Sequence, residues 1–234
     1  ARDHDALDRI RWNHPRFRGL TDAQIQRRNF ALADAQLVIA RLHYFESWPK
    51  LLQHIDALQT RDPHVMRFEA AADAIITGAD VKLDALLRAA PELVQQRSTR
   101  GHRAPLLHYV TANGVEDYRQ VSPGNAVEVA KVLLEAGAKV DMTSEAYGGG
   151  WTALGLVATS TPPRRSGVQI SLIDVLLEYG AAIDGLEPGA NTVMGALGNG
   201  CPEAAVALVE RGARVDSIVA AAGVGRLDLL ECLA

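Results

Sequence analysis

The stretch "VLLEAGAKVD" occupies residues 132–141. The same ten-residue phrase returns as "VLLEYGAAID" at 175–184 and as "ALVERGARVD" at 207–216. In the first copy Val132, Leu133 and Leu134, with Val129 before them, form one apolar face at helical spacing. Gly137 follows where a helix needs a terminating residue with left-handed backbone. Ala138 is small enough for close backbone approach, Val140 returns to a core, and Asp141 opens a turn. The phrase therefore reads as helix end, glycine stop, turn, and Gly180 and Gly212 hold the same place in the other copies. One compact core has no use for three copies of such a phrase. A stacked array, in which each unit covers the apolar face of the next, requires them.

Gly137 and Gly180 are 43 residues apart, and Gly180 and Gly212 are 32 apart. A helix–turn–helix period of about 33 residues is the ankyrin signature. Each phrase is preceded by a segment that fits a first helix. "PLLHYVTANG" at 105–114 resembles the ankyrin motif TPLHxAAxxG, with Leu107 and His108 at its Leu-His. "WTALGLVATS" at 151–160 keeps Thr152 and Leu154 and lacks the His. "NTVMGALGNG" at 191–200 keeps the spacing, and "SIVAAAGVG" at 217–225 supplies the Ala-Ala-x-x-Gly portion. A further unit is read upstream, at 70–94, ending on Pro91 instead of Gly-Ala. The chain from 63 to 234 thus resembles the ankyrin repeat family, as four units and a truncated fifth. The resemblance implies an all-α solenoid of paired helices with short hairpin fingers, and a His108 that hydrogen-bonds turn backbone. No polar closing unit is legible before Ala234, so the expectation is that the chain continues or has been trimmed there.

Two insertions interrupt the period, at 115–126 and 161–169. Pro123-Gly124 and Pro162-Pro163 prevent a helix from running through either. Both fall between paired helices and are expected to project side by side from one edge. "TSEAYGGGW" at 143–151 reads as a long glycine-rich finger carrying Tyr147 and Trp151.

Residues 1–62 lack a clean motif and are expected to form an N-terminal helical cap. "DHDALDRIRWNHPRF" at 3–17 echoes "DVKLDALLRAAPEL" at 80–93. Thr21-x-x-Gln24 forms a capping box, which is expected to open one long helix through "AQIQRRNFALADAQLVIARLHYF". Ser47 caps the next helix, with Pro49 in its first turn. The stretch at 35–55 resembles a leader segment that precedes ankyrin arrays in bacterial proteins.

Composition bounds the function. The chain is 48% hydrophobic and 22% charged, with net charge -4, which argues against a dedicated nucleic-acid binder. No apolar run approaches the ~20 residues of a membrane span. Cys201 and Cys232 fit no metal-ligand spacing and read as reduced thiols of a cytoplasmic protein. No secretory signal is legible, although the chain opens on Ala1 and leaves room for a removed leader. No motif for a nucleophile elbow, a zinc helix or a phosphate loop is present, so neither cofactor nor metal is expected. Glu69 and Asp73 share a helix face but lack a second His to make a zinc site.

The resemblance implies a monomeric scaffold that holds a protein partner against its fingers and first helices. The positions assigned to that contact are His102, Asn113, Tyr118, Tyr147, Trp151, Thr159, Arg164, Arg165 and Asn199. His102 is read as a surface contact, and Arg164 and Arg165 as a basic rim that suits an acidic partner. The competing reading is an enzyme or small-molecule site where the two insertions meet, between Tyr118 and Arg164. In it, Glu116, Asp117, Tyr118 and Arg119 form an acid/base site beside the Arg164-Arg165 loop; in the scaffold reading the same four form a solvated rim whose opposite charges help order the two loops.

Overall fold

The computed structural model describes residues 2–187 and 189–233, with side chains for 4–187 and 189–230. Among these residues every named element is helical, so the protein is all-α. Extended pairing is confined to two isolated antiparallel bridges, Arg97 with Pro105 and Ser144 with Trp151. The chain forms two compact units: Ala1–Met66 with Thr99–Gly101, and Arg67–Ser98 with His102–Ala234.

The first unit holds α1 (Arg2–Asn13), α2 (Asp22–Gln26), α3 (Leu32–Leu42), α4 (Trp48–Gln59) and the start of α5 (Pro63–Thr77). The Thr21–Gln24 capping box is present: Gln24 Oε1 accepts the Thr21 N–H at 2.9 Å, and Thr21 Oγ1 accepts that of Gln24 at 3.4 Å. It opens only the five-residue α2. The long helix expected from Thr21 onward is therefore corrected to two helices. The break is stabilised by Asp34, whose carboxylate accepts the Ala31 N–H at 2.8 Å and so caps α3. The same carboxylate lies 3.0 Å from His14 Nε2 and accepts from Arg16 at 2.8 Å. Ser47 precedes α4, with a proline in the first turn as expected, but its hydroxyl makes no cap bond. Phe17 is fully buried, with the His14 and Phe30 rings at 5.0 and 5.6 Å, while Ala40, Phe45 and Leu51 pack around Trp48.

The second unit begins with the rest of α5 and α6 (Asp80–Ala89), which a 3-10 turn at Pro91–Gln95 follows. The sequence echo between 3–17 and 80–93 has a local counterpart, since α1 is likewise followed by a 3-10 turn at Pro15–Phe17. Four helix pairs come next. These are α7 (Leu106–Val110) with α8 (Ala126–Glu135), and α9 (Ala153–Ala158) with α11 (Gln169–Glu178), α10 (Thr161–Arg165) lying between in the chain. Then α12 (Thr192–Gly198) packs with α13 (Pro202–Glu210), and α14 (Ile218–Gly223) with α15 (Leu227–Leu233). The first members pack in a row, α7 on α9 on α12 on α14. The second members form a parallel succession of contacts, α6 with α8, α8 with α11 and α11 with α13.

The recurring phrase explains how the first three of these pairs end. Gly137, Gly180 and Gly212 have φ of 94°, 85° and 96°, a left-handed conformation that an L side chain strains to adopt. Each glycine N–H bonds back to Leu134, Leu177 or Val209, at 2.9–3.0 Å, and the following alanine N–H to Leu133, Leu176 or Leu208 at 3.0 Å. This pair of bonds satisfies carbonyls that a helix end otherwise leaves open. Leu133, Leu176 and Leu208, the second residue of each phrase, are at most 2% exposed and belong to one continuous core. Burying each stabilises the fold by about 2 kcal/mol. Leu177, next to the buried Leu176, is only partly covered. Cys201 is buried and free, while the Cys232 side chain lies outside the described residues.

Candidate functional site

The finger that precedes α9 closes on itself when Ser144 N–H donates to Trp151 O at 3.0 Å. Its tip turns through Tyr147 at φ 52° and then Gly148, Gly149 and Gly150, all with positive φ. Left-handed backbone is costly for tyrosine, and its side chain shows what holds it there. The Tyr147 ring meets Trp151 edge-on, centroids 6.0 Å apart, and its hydroxyl donates to Asn113 Oδ1 at 2.7 Å. Asn113 Nδ2 in turn donates to Thr159 Oγ1 at 2.9 Å and to Leu156 O at 3.3 Å. Asn113 follows α7 and Thr159 follows α9, so this chain of bonds links neighbouring first helices to the finger.

These side chains surround a cleft of about 310 Å³. Its walls include Asn113, Tyr147, Trp151, Thr159 and Asn199, all of which the sequence selected. Ala112, Gln120, Ser160, Thr161 and Pro162 complete its lining. Trp151 and Thr159 also line a second cleft of about 300 Å³, so Trp151 partitions the two. That second space is framed by Leu186, Glu187, Ala190 and Asn191, and floored by Gly155 and Gly195. A methyl group built on Gly155 meets the Trp151 ring at 3.4 Å, and one on Gly195 meets Thr159 Cγ2 at 3.6 Å.

Four of the sequence-selected residues lie outside the first cleft. His102 was expected at the surface and is instead 7% exposed. It faces Glu116, with His102 Nε2 3.6 Å from Glu116 Oε2. The solvated rim expected of 116–119 is likewise corrected. Glu116 is fully buried and Arg119 is 4% exposed, while Tyr118 stays in solvent. Arg119 pairs with Glu69 at 2.7 Å, Asp73 at 2.6 Å and Glu116 at 3.2 Å. Burial opposes the charge on this guanidinium, but the carboxylates of Glu69, Glu116 and Asp73 outweigh it and hold its pKa above the ordinary arginine value. Glu69 and Asp73 on α5 thus both pair with Arg119. Among the described residues no group of three or more His, Cys, Asp or Glu is placed to hold a metal ion.

The first part of the insertion at 161–169 forms α10 instead of a loop, with Pro162 and Pro163 in its first turn, where a missing N–H costs nothing. The two insertions do meet, through Ser166 Oγ donating to Ser122 O at 3.0 Å. However, Arg164 is engaged by the Gly200 carbonyl and lines a separate cleft of about 570 Å³ with Gln169, Ile170 and Glu203. The walls of that cleft do not include Tyr118. Arg165 is exposed.

His108 is fully buried, and its Nε2 lies 2.8 Å from Met142 O, a turn-backbone bond of the kind its motif position implies. Gln120, Thr161, Pro162 and Leu186 were not singled out by sequence. Their signal was position alone: three belong to the insertions, Thr161 and Pro162 directly after motif residue Ser160. No helix among the described residues is long and apolar enough to cross a membrane. No protein-family model matches the chain, and no curated protein matches it in sequence.

Proposed function

We propose that this chain is an ankyrin-type solenoid that works as a non-catalytic scaffold, holding a protein partner in the paired clefts around Trp151. The reading is supported most by one observation. Asn113, Tyr147, Trp151, Thr159 and Asn199 come from three successive helix pairs, and all line the same 310 Å³ space. The ankyrin resemblance implies Asn113, Trp151, Thr159 and Asn199 as contact positions, and Tyr147 joins them as the aromatic of the glycine-rich finger. The row of first helices and the glycine-stopped second helices add support from the architecture. Aromatic side chains at the centre of a contact carry much of its energy, which favours Trp151 as the anchor. The enzyme reading draws no comparable support, because Glu116 and Arg119 are engaged in a buried charge cluster and the cleft that Arg164 lines does not include Tyr118.

The test is site-specific crosslinking in the source cell. A photo-reactive residue in place of Tyr147 or Asn199 should capture a partner. The same residue in place of Val81, which is 79% exposed on α6, should not. Equal capture from Val81, or none from either cleft position, overturns the scaffold reading.

A further inference from the structure

Several exposed arginines of this chain pair with a carboxylate close by in the sequence. Arg9 meets Asp5, Arg88 meets Asp84 and Arg214 meets Asp216, each at 2.9 Å. The segment between His14 and Ala33, in the first unit, departs from that habit. It holds Arg16, Arg18, Arg27 and Arg28 against a single acid, Asp22. Asp22 is engaged elsewhere, by Arg11 and by His4 at 2.9 Å. Arg18, Arg27 and Arg28 are exposed, and none of them has a carboxylate within ion-pair distance among the described residues.

The fold brings these cations together. Arg16 Nη2 donates to Asn29 O at 2.7 Å and to Asp34 Oδ2 at 2.8 Å, and the guanidinium lies over the Phe17 ring, 4.8 Å from its centroid. Both bonds use Nη2, so Nη1 and Nε have no protein partner among the described residues. Arg28 Nη1 lies 3.4 Å from Arg16 O, and the Phe30 ring is 5.6 Å from that of Phe17. Arg16, Arg28 and Phe30 therefore meet at one place, with Arg18 and Arg27 next to them in the chain. Asp34 is buried, and its carboxylate is shared with His14 at 3.0 Å, so its charge is used inside the unit. Phe30 and Leu32 are 38% and 76% exposed and give the cations an apolar margin. Arg16 is already fixed by its own contacts, which lowers the cost of ordering it around a ligand.

We propose that this arginine patch docks a short acidic segment of a protein, with an apolar residue among its carboxylates. Guanidinium groups match carboxylates in shape as well as in charge. Charges are screened beyond ~8 Å at physiological salt, so a short ligand feels the patch and not the net charge of -4. A nucleic acid or an anionic membrane extends well past that distance and meets the acidic excess of the rest of the chain. The acidic partner expected of Arg164 and Arg165 is thereby moved to another surface, since Arg164 is tied to the Gly200 carbonyl. The inference rests on the scaffold reading only in taking a protein as the occupant.

The experiment titrates the full chain into a fluorescein-labelled peptide, Gly-Asp-Glu-Phe-Asp-Glu-Gly, and follows anisotropy. The same peptide with Asn and Gln in place of Asp and Glu is the neutral control. The acidic peptide should bind about tenfold more tightly than the neutral one, and raising the salt should erase the difference. Arg18→Glu with Arg27→Glu removes two cations that hold no partner, so the fold should survive, and binding should weaken about tenfold. Arg18→Gln with Arg27→Gln should lose less. Lys131→Glu with Arg165→Glu makes the same change in net charge at exposed positions of the second unit and should leave binding unchanged. An equal loss in that control, or equal binding of the neutral peptide, overturns the patch. Vesicles of phosphatidylcholine with about one third phosphatidylserine, and a single-stranded oligothymidylate, are titrated in parallel. Tighter binding of either than of the acidic peptide overturns the assignment of a protein segment. If the acidic peptide binds as expected and crosslinking from Tyr147 and Asn199 fails, the patch stands and the scaffold reading falls. If crosslinking succeeds and the acidic preference is absent, the scaffold reading survives and this inference falls.

Discussion

The Asp141 carboxylate receives the backbone N–H of Ala182, 3.1 Å from each of its oxygens. Asp141 ends the first copy of the recurring phrase, and Ala182 is the eighth residue of the second. The relationship is then repeated one step on: Asp184, ending the second copy, accepts the N–H of Arg214, the eighth residue of the third, at 2.8 Å. The second copy therefore carries both halves of a joint, an acceptor at its end for the next copy and a donor for the one before.

From this joint the first prediction follows. Asp141→Ala and Asp184→Ala each remove a charge-assisted bond to a backbone donor and should each lower stability by about 1–2 kcal/mol. The double variant should show close to the sum, because the two bonds share no partner. Urea unfolding of the four proteins checks this, and no loss in either single variant would mean that water replaces the carboxylate at no cost.

Leu176 tests the core that those joints hold in register. It is 2% exposed, and truncation to alanine in such a site costs about 2–5 kcal/mol. Leu177 is only partly covered, so Leu177→Ala should cost distinctly less. Comparable melting temperatures for the two variants would contradict the assignment of the buried face.

Arg119 is expected to be the most sensitive charged residue of the second unit. Its guanidinium bonds to Asp73, Glu69 and Glu116, and Glu116 also lies within reach of Tyr109 OH at 3.4 Å. Arg119→Ala leaves buried carboxylates without their counter-charge and should destabilise by about 3–5 kcal/mol. Arg119→Ala combined with Glu69→Gln and Glu116→Gln should recover part of that loss, which thermal unfolding at neutral pH measures.

What the sequence disclosed, and what it hid, follows from how local the chemistry is. The stops at Gly137, Gly180 and Gly212 were legible because a left-handed helix end is specified by the glycine itself and its neighbours. Asn113 and Trp151 were legible because motif spacing carries over from unit to unit. The burial of Glu116 and Arg119 was not, since Asp73, the nearest partner of Arg119, is 46 residues away in the chain. A charged insertion read alone looks solvated. His102 was misread for the same reason: beyond the Ala104 N–H that its Nδ1 accepts, its ring faces Glu116 and Tyr109. The break between α2 and α3 was missed because no glycine or proline marks it; the stop is made by Asp34 reaching back to Ala31.

His108 should give the fold a pH dependence of definite sign. Burial pushes its imidazole down to about 4 from an ordinary 6.5, against the opposing bond to the Met142 carbonyl. As pH falls, the unfolded chain takes up this proton before the folded one does. Its contribution to stability is therefore full above pH 6.5, declines as pH drops, and is lost by about pH 4, a change of roughly 3 kcal/mol. His108→Gln should flatten the stability curve across that window relative to the parent. Parallel curves for the two proteins would show that the imidazole is not held neutral.

Gly155 and Gly195 present the last test, because stability and binding should move in opposite directions. Both lie inside first helices, α9 and α12, where glycine is worth about 1 kcal/mol less than alanine. Neither has the left-handed backbone that would require glycine, and the space beside each admits a methyl at 3.4 Å and 3.6 Å. Gly155→Ala and Gly195→Ala should therefore fold and be stabilised by up to about 1 kcal/mol each. The same methyl groups rise into the floor of the cleft between Trp151 and Leu186. If a partner seats there, the double variant should melt higher and yet show weaker crosslinking from Tyr147. A variant that gains stability and keeps full capture would confine the contact to the Asn113 side of Trp151. One that loses stability would show that the first helices have no room for the methyls.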